Sequence, residues 1–179
     1  MTTTPLQETF REVMAGVPTP VTVLTALEQG TPHGTTVGAF ASLSMEPPMV
    51  VACLDRRSDL LARVRRTGRF GVNVLGSAHS ALAVRFAKKG AEKFRGVEWD
   101  ADNGVPRLAG APGWIVCDVA DLVDGGDHVI VMGTVLAVDT TPVEPLTYHM
   151  RSFGTHAPLA ASGHLDRGVS STLGHGAGP

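Results

Sequence analysis

The order of apolar and polar positions divides the chain into short elements. Leu6, Phe10, Val13 and Met14 recur at helical spacing, which predicts an amphipathic helix over residues 5–15. Gly16 and Pro18 stop it. Val21 to Ala26 alternates apolar residues with threonine, the period of a strand. Glu28-Gln29-Gly30 turns the chain into a second arm carrying Thr35 and Thr36, so the two arms read as an antiparallel hairpin. Beyond Gly38 the chain reads as an irregular, hydroxyl-rich stretch through Ser42 and Ser44 to Pro47-Pro48. The apolar run Met49 to Leu54 then reads as a buried strand, entered through the prolines that a strand tolerates only at its start.

Leu60, Leu61 and Val64 share one face of a helix expected at 59–67, with Ser58 as its N-cap and Gly68 at its end. Residues 70–75 (FGVNVL) form a strand, with Phe70, Val72 and Val74 on one face and Asn73 on the other. A buried asparagine must find hydrogen-bond partners, so Asn73 is either tied to a turn or reaching for a ligand. A helix is expected at 77–87, with Lys88 and Lys89 complementing its dipole and Gly90 closing it. Residues 92–103 read as a covering loop. Two strands follow at 113–120 and 128–138, around a turn at Asp124-Gly125-Gly126. Tyr148 and Phe153 lie in a segment without a period. From Ala157 the chain is rich in Ala, Gly, Ser and His and reads as a flexible tail, 157–179. Strands joined mainly by short turns predict a mainly β fold, an antiparallel barrel or sheet with peripheral helices.

Composition narrows the function. A chain of 179 residues with 43% apolar residues fits one domain with a sizeable core. A net charge of −2 gives no footprint for nucleic acid. No apolar run is long enough to span a bilayer, and the first ten residues do not resemble a signal peptide, so a cytoplasmic protein is expected. Cys53 and Cys117 sit in apolar runs and read as free thiols; a metal site is not expected. His164 and His175 belong to the tail composition. Walker, G-x-G-x-x-G, G-x-S-x-G and H-E-x-x-H motifs are all missing.

What remains is a set of neutral polar residues in apolar surroundings: Thr35, Thr36, Ser42 and Asn73, with Asp127 and His128 after a glycine turn. A stretch rich in hydroxyls, with Gly34 and Gly38 admitting a ligand close to the backbone, suits a planar polar ligand. A surface loop explains the same pattern. His128 is either a hairpin residue or a site residue at the mouth of a strand.

The stretch HGTTVGAFASLSMEPPMVVACLDRRS, followed by FGVNVL, RFAKKGAEKFRGVEW, GDHVIVMGTVL and PLTYHMRSFG, resembles the flavin reductase-like domain family in order and spacing from about residue 7 to 154. The resemblance implies an FMN-binding split barrel, usually a homodimer, over residues 1–156. It implies an NAD(P)H-dependent flavin reductase, using FMN or FAD and NADH or NADPH, that supplies a partner monooxygenase. A non-catalytic flavin-binding or storage protein and an oxidase of the pyridoxamine-phosphate type are the alternatives. Carried over by residue, the resemblance places Thr35, Thr36, Val37, Ala39 and Ser42 at the flavin ring. It places Asp55, Arg56 and Ser58 at the flavin side chain and Asn73 beside the flavin. Arg85, Lys93 and Phe94 fall at the phosphate side, His128 near the nicotinamide, and Tyr148 at an aromatic position of the same site. Such a site needs no catalytic triad, because the chemistry resides in the two rings that it stacks.

Overall fold

The computed structural model describes residues 3–90 and 92–159. Most of the expected tail therefore lies outside the described residues. The chain opens with α1 (Pro5–Ala15), started by a capping box between Thr4 and Gln7 with Pro5 in its first turn. A two-residue strand β1 (Thr19–Pro20) leads into β2 (Thr22–Glu28), and a Gln29-Gly30 turn with positive φ at both residues reverses it into β3 (Thr31–Val37). β4 (Phe40–Met45) and β5 (Pro48–Asp55) form the next hairpin. The stretch expected to be irregular is thus a strand: a register shift between Ser42 and Ser44 breaks its alternation and hides its period.

α2 (Asp59–Thr67) ends at Gly68 in the left-handed conformation and buries Leu60, Leu61 and Val64. β6 (Arg69–Val74) follows. A 3₁₀ turn at Ser77–His79 precedes α3 (Ser80–Ala87), which ends before Lys88; the two lysines lie past the helix, Lys88 with an extended backbone. The segment expected as a loop, 92–103, ends in a strand, β7 (Trp99–Asp102), which Asn103-Gly104 reverses into β8 (Val105–Leu108). β9 (Gly113–Gly125) and β10 (His128–Thr140) run past their expected ends, and the turn between them is Gly126-Asp127. β11 (Thr147–His149) and β12 (Ser152–Gly154) form a last hairpin that pairs with β1.

Seven strands make one antiparallel sheet in the order β3-β2-β6-β9-β10-β5-β4. Its two edge strands are consecutive in the chain, joined only by Gly38 and Ala39. A two-residue link can connect opposite edges only if the sheet is rolled until they meet. Ala39 sits at that meeting point, its carbonyl accepting from the Cys53 N–H at 3.0 Å. Inside the roll lies the main core, with Leu24, Ala26, Val50, Leu54, Phe70 and Val131 capped by the buried face of α2. A second core packs α3 and residues 94–108 on the outside of β2 and β6, around Val23, Leu75, Phe86 and Leu108. β2 is therefore buried on both faces, which explains its run of buried positions. Among the described residues no helix is long and apolar enough to cross a membrane.

Candidate functional site

The main cleft occupies the gap between β3 and β5, which meet at Ala39 and are not paired with each other in the sheet. It encloses about 590 Å³. One side is β3 from His33 to Val37, continued by Gly38 and Ala39. The other is Cys53 to Asp55, with Ser58 and the first turns of α2. Residues 87–90 after α3, with Lys93, Phe94 and His128, complete the lining. As an edge strand, β3 leaves alternate backbone N–H and C=O groups unpaired toward this gap.

The side chains of β3 do a different job from the expected one. The Thr36 hydroxyl donates to the Ala83 carbonyl at 2.6 Å, and Thr35 to Phe86 at 3.4 Å. They fasten α3 to the strand, so what β3 offers a ligand is chiefly backbone. The glycines follow the same logic: a Cβ at Gly34 would stand 2.9 Å from the Phe86 ring, and one at Gly38 3.0 Å from the Thr19 hydroxyl. Packing against the Phe86 ring leaves no room for a side chain at Gly34, and one at Gly38 would crowd Thr19.

Lys93 reaches across from the short helical turn at 92–94. Its ammonium donates to the carbonyls of Gly34 (3.1 Å) and Phe86 (2.9 Å). Burial pulls its pKa below the usual lysine range, with Asp59 opposing. The Phe94 ring packs edge-on to Phe86 at 4.9 Å and to Trp99 at 5.9 Å, which fixes that turn. Ser58 occupies the N-cap position of α2, but its hydroxyl makes no capping bond and stays free at the cleft.

Asp55 and Arg57 share the cleft. Hydrogen bonds from the Arg57 side chain and backbone N–H hold the Asp55 carboxyl down to about 2. At the other end, Arg63 bonds His33 Nε2 at 3.4 Å and faces Glu28 and Asp59. Burial, and then the Arg63 charge, lower the His33 pKa. With Lys88, Lys89 and Lys93, the basic lining residues outnumber Asp55 and Asp59. His128 stands directly across from Asp55 in the β5–β10 register. Its Nδ1 is 2.8 Å from Asp127 Oδ1.

Nine of the fourteen anticipated site residues line this cleft: Thr35, Thr36, Val37, Ala39, Asp55, Ser58, Lys93, Phe94 and His128. The other five lie outside its lining. Ser42 is exposed on β4, opposite Val50. Asn73 is fully buried and committed to protein: its amide donates to Val23 and Pro106, and its oxygen accepts from Leu108 N–H. Arg85 donates to the Arg95 carbonyl. Tyr148 packs on Phe153, ring centres 5.2 Å apart, in the small sheet. Arg56 turns away from the cleft and clamps the Gly126-Asp127 turn.

Sequence reasoning overlooked His33, Arg57, Arg63, Lys88 and Lys89, all of which line the cleft. For Arg57 the signal was present. Strand alternation carried past Asp55 puts Arg57 on the Asp55 side and Arg56 on the other. Lys88 and Lys89 follow α3, which ends at Ala87 as expected; their pattern signals charges complementing a helix dipole, and only the packing of α3 beside β3 shows that they face the cleft. The assembled features are edge-strand backbone, a free hydroxyl and an excess of positive charge. They match a flat polar ring with an anionic tail.

The family model for the flavin reductase like domain matches residues 14–157. The reductase component of a 4-nitrophenol 4-monooxygenase/4-nitrocatechol 2-monooxygenase from Rhodococcus opacus is 36% identical over 149 residues, covering 83% of this chain and 80% of that one. The actinorhodin polyketide dimerase of Streptomyces coelicolor is 40% identical over 173 residues, covering 94% and 98%. Among solved structures, an NADH:FAD oxidoreductase from Streptomyces globisporus C-1027, in complex with NAD and FAD fragments, superposes with a TM-score of 0.82 at 30% identity over 90% of this chain and 99% of that one.

Proposed function

The chain belongs to the flavin reductase-like domain family, and on that premise we propose that it is an NAD(P)H-dependent flavin reductase that supplies reduced flavin to a separate monooxygenase. The observation that carries this reading is the cleft itself. It joins an edge strand's backbone to a basic rim in a volume suited to a ring system. When bound, flavin supplies the acceptor for a hydride donated by the nicotinamide. The chain's own residues bind and align. The backbone from Thr35 in β3 through the Gly38-Ala39 link holds the polar edge of the ring, and the free Ser58 hydroxyl serves the side chain. Lys93, with Lys88 and Lys89, draws the phosphate. His128 packs against or hydrogen-bonds the nicotinamide carboxamide.

Three finer points belong to the same reading. The donor is NADH and the flavin FAD: the solved NADH:FAD oxidoreductase, in complex with NAD and FAD fragments, supports both, and the arginines lining the cleft are already paired, Arg57 to Asp55 and Arg63 to Glu28 and Asp59. The fold is the split barrel, supported by the rolled antiparallel sheet, and residues 1–156 form the reductase domain, supported by the family match at 14–157. The working form is a homodimer. In α1 no residue is buried, and Leu6, Phe10, Val13 and Met14 expose an apolar face that a second copy would cover. The reaction belongs in the cytoplasm, where the nicotinamide donor is regenerated.

Anaerobic mixing of the protein with excess flavin and NADH tests the activity. Bleaching of the flavin absorbance over many turnovers is expected. Tight binding without bleaching would leave a flavin-binding protein, and oxidation of pyridoxamine phosphate an oxidase. A second reading comes from the polyketide dimerase, whose match runs nearly end to end in both chains. There the oxygenase partner would act on a polyketide, and product analysis with a polyketide acceptor tests that arm.

A further inference from the structure

We infer that Arg56 and Asp127 are positioning residues for His128: Arg56 locks the β9–β10 turn, and Asp127 fixes which nitrogen the imidazole presents to the cleft. This rests on the reading of His128 as a nicotinamide contact.

Arg56 holds the turn at three points. Its backbone N–H donates to the Asp127 carbonyl at 3.0 Å. Its side-chain Nε–H donates to the Gly126 carbonyl at 2.7 Å, and its other guanidinium end meets Asp124 at 2.9 Å. The arginine comes from the end of β5 and the turn from the β9–β10 hairpin, so the three contacts join two strands where His128 begins β10. Gly126 takes the left-handed conformation, which glycine adopts without strain. The ion pair is exposed and by itself contributes little to stability. What the arrangement supplies is geometry: with its carbonyls held, the turn cannot swing His128 away from the cleft that it lines.

Asp127 sets the imidazole's polarity. Its carboxyl is kept below the usual range, first by the hydrogen bond to His128, so near neutral pH it only accepts. The nitrogen 2.8 Å away, Nδ1, must therefore donate. A neutral imidazole that donates from Nδ1 carries its lone pair on Nε2. Nε2 is then an acceptor, which is what a carboxamide N–H requires. An imidazole with the opposite tautomer would meet that N–H with its own.

Steady-state kinetics on the full chain, varying NADH at saturating flavin, test this. The variants are Arg56→Ala, Arg56→Lys and Asp127→Asn, each alone and combined with His128→Ala. His128→Ala is expected to raise KM for NADH by roughly threefold to tenfold, the size of one neutral hydrogen bond. Arg56→Ala and Asp127→Asn should each reproduce most of that rise, with kcat and flavin Kd close to wild type. Combined with His128→Ala, neither should add to it, because residues that act through one contact are not additive. Arg56→Lys keeps the charge but cannot place a guanidinium N–H on Gly126. It should melt like wild type and show an intermediate KM. A wild-type KM in Arg56→Lys and Arg56→Ala, or a full additional rise in the double variants, overturns the inference while leaving His128 in place. An unchanged KM in His128→Ala alone overturns the reading of His128 and this inference with it.

Discussion

The Leu108 N–H donates to Asn73 Oδ1 at 2.7 Å, inside the second core and away from the cleft. That bond ties the β7–β8 hairpin to the main sheet, and Asn73 is fully buried away from the cleft. Asn73→Ala leaves the buried Leu108 N–H unpaired and should destabilise the fold by about 1–3 kcal/mol. Urea denaturation reads the loss. Flavin affinity of the folded fraction should stay at the wild-type value, and a tenfold weakening would restore Asn73 to the site.

His128→Ala should leave kcat largely intact while KM for NADH rises, because a bond made equally in ground and transition states affects binding alone. A thousandfold fall in kcat at constant KM would instead make His128 a chemical catalyst.

The two thiols should differ sharply in reactivity. Cys117 is buried, and that burial pushes its pKa up to about 12. Cys53 is half-buried and lines the cleft. Iodoacetamide at pH 8 should modify Cys53 in the native protein and Cys117 only after unfolding. Added flavin should slow the Cys53 reaction. Equal labelling of both, or labelling of Cys53 indifferent to flavin, would contradict this arrangement.

His33 gives a pH signature. Its folded pKa lies below the ordinary 6.5, first through burial and then through Arg63. The unfolded chain therefore binds more protons between the folded and unfolded values, so stability rises with pH across that window. The contribution is complete above the unfolded pKa and is lost as pH falls through 6.5 toward the folded value. Comparing the wild type with His33→Gln by denaturation from pH 8 to pH 5 should show wild type losing stability relative to the variant as pH falls. Parallel curves would show that His33 titrates as it does in the unfolded chain.

Phe10 sits on the exposed face of α1, with 62% of its surface accessible. Phe10→Asp should leave the melting temperature of the protomer nearly unchanged and shift the sedimentation coefficient at micromolar concentration from dimer to monomer. A wild-type protein that sediments as a monomer while binding flavin normally would remove the dimer.

Much of the fold was legible where one period ran unbroken. Leu60, Leu61 and Val64 announced α2, and Phe70, Val72 and Val74 announced β6. The β7–β8 hairpin was legible but passed over: Asn103-Gly104 is a strong hairpin dipeptide, and both residues adopt the positive φ that it signals. The last hairpin was not legible, because Met150 and Arg151 take positive φ against their own preference. For the site, residue type was easier to read than destination. Asn73 announces a buried hydrogen-bonding need, but its partners Pro106 and Leu108 lie more than thirty residues away. Thr35 and Thr36 announce hydroxyls on one strand, and only the packing of α3 shows that their donors are spent on Ala83 and Phe86.

The joint at Gly38 and Ala39 has a kinetic meaning. The rolled sheet is closed there by a two-residue link and the bond from Cys53 N–H to Ala39, whereas its interior strands are paired on both sides. Breathing of the native state should begin at this seam, so the Cys53 and Phe40 amides should exchange with deuterium before those of β6 and β9. A ligand seated in the gap between β3 and β5 bridges the seam from outside. Its occupancy should appear as slowed exchange at those two amides, a record of binding written in the opening rate of the sheet.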